Sequence, residues 1–118
     1  MNRDLKVFGT TVLLLALIDL PWLLLIGDTA QKLVFRIQGS ELSLRYGPAL
    51  IVYLALAYLV QQVETPLEAF KLGVAVYAVY DFTNLAMFKN YTLQFALMDS
   101  LWGGILFAAT RYALNRIF

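Results

Sequence analysis

The chain has 118 residues, of which 61% are hydrophobic and only 14% charged, and its net charge is +1. So few charges cannot cover a water-facing surface, since soluble domains carry roughly 25% charged residues, and nucleic acid, which needs clustered Lys and Arg, is excluded as a partner. The sequence has no Cys and no His, so disulfides are excluded, zinc and haem lose their usual ligands, and no cofactor is predicted.

Residues 5–26 form the first apolar run, which is long enough for a membrane span of about 20 residues. The run carries Asp19 in its second half, and no small-residue cleavage pattern follows it. We therefore interpret it as a retained helix and not as a removable signal peptide.

The segment 28–40 predicts a short amphipathic helix between the first and second spans. Leu33 and Ile37 recur at helical spacing, while Lys32 and Arg36 lie elsewhere on the helical wheel. Two interpretations stay open: a helix that lies on the membrane surface, and a helix that covers the end of the bundle.

Three further apolar runs predict helices over residues 46–63, 66–88 and 92–115. Thr65 suits an N-cap and Pro66 suits the first helical position. The connections on either side of the third helix are very short, which favours antiparallel neighbours. The predicted fold class is an all-α, four-helix transmembrane bundle that forms one domain over the whole chain.

Four spans place both termini on the same side of the membrane. The nine Lys and Arg residues divide five to four in favour of that side. Under the positive-inside rule this small excess favours cytoplasmic termini. The pattern predicts an integral membrane protein with membrane lipid as a partner, and it does not indicate which membrane.

Three acidic residues, Asp19, Asp81 and Asp99, interrupt the apolar runs. An Asp at a helix centre costs roughly 2.5–3.5 kcal/mol on insertion scales, so such residues normally face the bundle interior or a wet cavity. Counted from the predicted helix ends, all three lie at one depth, about 10 Å below the face opposite the termini. No cation in the same helix is well placed to neutralise them.

Each Asp also shares a helix face with polar or aromatic side chains, and the pattern D-x-x-W occurs in both the first and the fourth helix. The cluster could hold a proton or a cation, or it could be a hydrogen-bonded network that only stabilises the bundle. A metal ion is neither predicted nor excluded. The candidate site residues are Asp19, Asp81, Asp99, Asn84, Thr83, Tyr77, Tyr80, Trp22 and Trp102.

Three strings in the chain resemble those of a known family, the predicted membrane proteins grouped as domain of unknown function 2177. The resemblance covers nearly the whole chain and implies four helices, but it implies no activity. It marks as signature residues Asp19, Trp22, Tyr80, Asp81, Thr83, Asn84, Asp99, Trp102 and Gly103. The strings are Asp19-Leu-Pro-Trp22, Tyr77-Ala-Val-Tyr80-Asp81-Phe-Thr83-Asn84-Leu-Ala and Asp99-Ser-Leu-Trp102-Gly103.

Three functions fit these observations. The first is a small transporter or channel with the Asp cluster as its proton or cation site. This function predicts a homo-oligomer, because four short helices enclose little space. The second is a non-catalytic accessory or structural subunit of a larger membrane complex. The third is a lipid-related membrane enzyme with a metal ion at the cluster, and it ranks last because the acid–base inventory is thin. The small number of acid–base side chains therefore argues against an enzyme.

Overall fold

A computed structural model describes residues 2–42 and 44–118, and over these residues the chain forms four α-helices and no strands. This architecture confirms the predicted all-α, four-helix fold class. The helices are α1 (Arg3–Gln38), α2 (Tyr46–Val60), α3 (Pro66–Met87) and α4 (Leu93–Ile117).

Two threonine caps fix where α3 and α4 begin. The Thr65 hydroxyl accepts a hydrogen bond from the backbone N–H of Glu68 at 3.1 Å and donates one to its side chain at 2.9 Å. The Thr92 hydroxyl accepts from the backbone N–H of Phe95 at 3.2 Å. These bonds satisfy N–H groups that have no partner within the helix. The predicted starts at residues 66 and 92 therefore agree with the structure to within one residue.

The second helix ends three residues earlier than predicted, at Val60 instead of residue 63. A proline disfavours helical backbone in the residue before it, and Thr65, which precedes Pro66, is extended with φ −110° and ψ 152°. The chain needs a few residues to turn into that conformation. Gln61 and Gln62 form the turn.

The predicted amphipathic segment is not a separate helix, because α1 runs unbroken for 36 residues through Gly27 to Gln38. It ends at Gly39, whose φ of 74° is the left-handed conformation that suits a glycine after a helix. Leu33 is buried against Tyr91 and Ala96. The continuous extension of α1 therefore covers the end of the bundle, which decides between the two interpretations of this segment.

The tightest packing in the bundle is between α3 and α4, where two glycines meet. A Cβ at Gly73 would lie 2.2 Å from the carbonyl oxygen of Gly103, so the backbones touch without side chains between them. The main core includes Leu15, Val60 and Phe107, and Phe107 lies next to this contact. By contrast, α2 packs chiefly on α1 and touches α3 and α4 sparsely.

Two helices, α1 and α4, are long and apolar enough to cross a membrane by length and composition, while α2 is apolar but has only 15 residues. Large apolar side chains also cover much of the outer surface. Leu24 and Leu25 of α1 are 76% and 78% exposed, and many others are similarly open. An outer surface of this kind suits contact with lipid better than contact with water.

Candidate functional site

Asp19 joins three helices through two strong hydrogen bonds. Its Oδ2 atom accepts from the hydroxyl of Tyr53 in α2 at 2.5 Å, and its Oδ1 atom accepts from the indole N–H of Trp102 in α4 at 2.7 Å. The residue is only 7% exposed. Because both oxygens have a donor, the desolvation of this buried carboxyl group is offset, and the three helices are held at fixed rotations.

The two tryptophans of the repeated D-x-x-W pattern stack on each other. The rings of Trp22 and Trp102 lie 5.3 Å apart at an interplanar angle of 11°. Each Trp lies three residues after an Asp, so the repeat places an indole of α1 on an indole of α4 beside the acidic cluster. Trp22 is therefore a packing residue within the cluster as well as a suitable residue for the membrane interface.

Asp81 is completely buried and has a donor for only one of its oxygens. Its Oδ1 atom accepts from the hydroxyl of Tyr91 at 2.6 Å, whereas its Oδ2 atom has no hydrogen-bond donor. Tyr91 lies in the connection between α3 and α4, under the extension of α1. Burial, together with the hydrogen bond to Asp81, raises the pKa of Tyr91 above its usual range, so the hydroxyl remains a donor at neutral pH.

The carboxyl group of Asp99 in α4 lies against that of Asp81 in α3, with the indole of Trp22 beside it. Neither carboxylate can donate a hydrogen bond unless it carries a proton. The two carboxyl groups are thus neighbours, and the buried Oδ2 atom of Asp81 has no hydrogen-bond donor. Two carboxyl groups in this arrangement can share one proton or bind one monovalent cation.

A cleft between α2 and α3 leads to Asp99, whereas Asp81 does not line it. One cavity of about 350 Å³ is bordered by Asp99, and an adjoining one of about 560 Å³ is bordered by Asp19 and Arg45. Both cavities share four lining residues, so they form one continuous cleft. The shared residues are Val52, Leu56, Tyr77 and Tyr80.

The structure brings most of the candidate residues together, but not all of them. Tyr77 and Tyr80 line the cleft, and Asn84 lies beside the Tyr91 hydroxyl. Thr83 is exposed and donates its hydroxyl hydrogen bond to the backbone carbonyl of Val79 in its own helix, so it takes no part in the cluster.

Two residues of the cluster were missing from the candidates. Tyr53 was not a candidate because its partner in α1 depends on helix rotation, which the sequence does not give. Tyr91 was not a candidate because its bond to Asp81 depends on the path of the α3–α4 connection. Among the described residues, no group of three or more acidic side chains is arranged to hold a metal ion.

The chain belongs to the family described as "Predicted membrane protein (DUF2177)", whose model matches residues 4–114. The match covers all four helices and confirms the resemblance that the three sequence strings indicated. No curated protein and no solved structure matches the chain. The family description places the chain among membrane proteins and carries no activity.

Proposed function

We propose that the chain is a four-span membrane protein that couples the movement of a cation to that of a proton, with Asp81 and Asp99 as the exchanging pair. The observation that carries this proposal is a pair of neighbouring carboxyl groups: buried Asp81, whose Oδ2 atom has no donor, and Asp99, which borders an open cleft. Ionisable groups inside a membrane bundle are costly, and they commonly mark ion and proton pathways.

The way the helices pack supports four spans. α3 has 22 residues and α4 has 25, so they rise about 33 Å and 37 Å, which is enough for a hydrocarbon core of about 30 Å. The two are antiparallel and in backbone contact, so if α4 spans the bilayer, α3 spans it too. α2 packs on α1 and is bound to Asp19 through Tyr53, which keeps it at the same depth.

The three buried carboxyl groups have different roles in this proposal. Asp19 has a donor on each oxygen and acts as a structural tie between α1, α2 and α4. Asp81 is half satisfied and shares a proton with Asp99. Asp99 borders the cleft and receives the cation. An accessory subunit would also need the hydrogen-bond network around Asp19, because that network stabilises the bundle. It would not need the Asp81–Asp99 pair.

Exchange follows from the charge of the pair. Two facing carboxyl groups in a dry site cannot both be ionised at low cost, so in the empty state they share one proton. A cation that binds at Asp99 replaces the shared proton as the counter-charge of the pair, and the proton leaves to water at the mouth of the cleft. The other polar groups near the pair are Asp19 and Trp22 of α1, Tyr77 of α3 and Tyr91.

Proton flux into liposomes tests this proposal. Purified protein is reconstituted with a pH-sensitive dye inside, and gradients of sodium, potassium, methylammonium or tetraphenylphosphonium are applied in turn. We expect cation-driven proton flux that is lost in Asp99→Asn and kept in Asp28→Asn, the same change at an exposed position. Wild-type protein that is folded and monodisperse but moves protons with none of these cations would refute transport and favour the accessory subunit.

A further inference from the structure

The part of the cleft next to Asp99 has apolar and aromatic walls, while Asp19 and Arg45 border the adjoining part. Val52 and Val76 supply branched aliphatic surface, and the rings of Tyr77 and Tyr80 lie beside it. Aromatic ring faces attract positive charge, most strongly where water is excluded. Together with Asp99, these walls suit a ligand that has one positive charge and a large apolar body.

A metal cation fits the same walls poorly. A divalent ion such as Ca²⁺ takes about six to eight oxygen ligands. Among the described residues, no group of three or more acidic side chains is close enough together to share such an ion. The shortage of oxygen ligands favours a cation that is stabilised by apolar contact.

The cleft is open towards the side of the bundle. Val52 and Tyr80 line it and are 53% and 65% exposed, and both lie well inside their helices. In a four-span protein these positions face acyl chains. Arg45, at the start of α2, lines the end of the cleft that lies nearest the membrane surface, and its charge repels a cation that arrives from water. A cation dissolved in the bilayer reaches Asp99 from the side without passing Arg45.

We propose that the cleft binds lipophilic, monovalent organic cations that enter from the bilayer between α2 and α3. The positive charge lies at Asp99, and the apolar body lies against Val52, Tyr77 and Tyr80. This inference rests on the proposed function, since it names the class of cation that displaces the proton shared by Asp81 and Asp99.

Equilibrium binding tests the inference without any need for transport. Radiolabelled tetraphenylphosphonium is dialysed against the protein in lipid nanodiscs, with empty nanodiscs subtracted for partition into lipid. Tetraphenylborate, which has the same shape and the opposite charge, is measured in parallel. Val52→Trp fills the opening, and Ile51→Trp is its control, because Ile51 is the neighbouring residue, is 65% exposed and lines neither cavity.

We expect tetraphenylphosphonium to bind, tetraphenylborate not to bind, and Ile51→Trp to bind as wild type does. Affinity should fall about tenfold or more in Asp99→Asn, because it removes one partner of a partly desolvated charge pair, and in Val52→Trp, because it occupies the site. Asp99→Asn keeps the test decisive if Val52→Trp does not fold.

Three results would overturn the inference: no tetraphenylphosphonium binding above that of empty nanodiscs, equal binding of the anion, or unchanged affinity in folded Asp99→Asn protein. The binding test and the transport test can fail independently of each other. Proton flux with small cations but without tetraphenylphosphonium binding overturns the lipophilic substrate class alone. Binding without flux in any gradient supports the site and overturns transport.

Discussion

Gly73 of α3 lies so close to α4 that the structure leaves no space for a side chain. A Cβ atom at this position would lie 2.2 Å from the carbonyl oxygen of Gly103 and 2.9 Å from the Cβ of Phe107. Ordinary contacts between such atoms are about 3.5 Å or longer, so Gly73→Ala forces α3 and α4 apart by about 1 Å. The obstructing oxygen belongs to the helix backbone and cannot rotate away. We expect the free energy of unfolding to fall by about 1–3 kcal/mol, as for an overpacked core.

The unfolding free energy is measured by titrating mixed detergent micelles with dodecyl sulfate and following helicity by circular dichroism. Gly9→Ala is the matched control, because nothing lies within 4 Å of a Cβ at that helical position. Alanine is the better helix former by up to about 1 kcal/mol, so Gly9→Ala should leave stability unchanged or raise it. Gly73→Ala should therefore lower the unfolding midpoint. Gly9→Ala should leave the midpoint unchanged or raise it.

Equal shifts for Gly73→Ala and Gly9→Ala would refute the close approach of α3 and α4. Gly103→Ala gives an independent check on the cleft. An added Cβ there would lie 2.2 Å from Cγ of Tyr77, so the substitution must displace a ring that lines the cleft. We expect it to reduce both stability and tetraphenylphosphonium binding, while Gly73→Ala acts mainly on stability.

Three further outcomes follow from the hydrogen bonds and the topology. Tyr91→Phe removes the donor to buried Asp81 and should lower the free energy of unfolding by about 1–3 kcal/mol. A double-mutant cycle with Asp81→Asn should show that the two changes are coupled, and additive effects would contradict the bond. Trp102→Phe takes the indole donor from Asp19 and should cost about 1–3 kcal/mol; unchanged stability in the same detergent titration would argue against the bond. Because the chain has no Cys, single cysteines in a four-span protein should react with an impermeant maleimide in two groups, one on each side of the membrane, and any mixing of the groups would exclude four spans. Asn2→Cys and Gln62→Cys form one group, and Ser40→Cys and Asn90→Cys form the other.

The sequence was sufficient to predict the helices wherever a local signal decides their ends. Thr65 and Pro66 mark the start of α3, and the structure has both the cap and the first helical residue there. The failure at Gly27 has a physical reason. Glycine is a poor helix former by about 1 kcal/mol, but burial of Leu33 against Tyr91 and Ala96 favours a continuous α1. That contact joins residues far apart in the sequence, so local propensity could not reveal it.

The sequence predicted most of the residues of the candidate site. It did not predict which of them are hydrogen-bonded to each other. Intramembrane carboxyl groups at similar depth in antiparallel helices indicated that Asp81 and Asp99 could meet. Which tyrosine donates to which carboxyl group depends on helix rotation to within a few tens of degrees, and helical spacing alone does not fix that rotation. The distinction between a fully satisfied Asp19 and a half-satisfied Asp81 therefore came only from the atomic positions.

The shortness of α2 has a consequence for the lipid around it. Its 15 residues rise about 22 Å, several ångströms less than the hydrocarbon thickness of a typical bilayer. As a spanning helix it would draw the two leaflets together locally, because thinning is one way in which a membrane adapts to a short hydrophobic element. The thinned lipid would border the opening at Val52, and the distance from head groups to Asp99 would be shortest there. Bilayer thickness would thus regulate how readily the cleft exchanges its contents with the membrane.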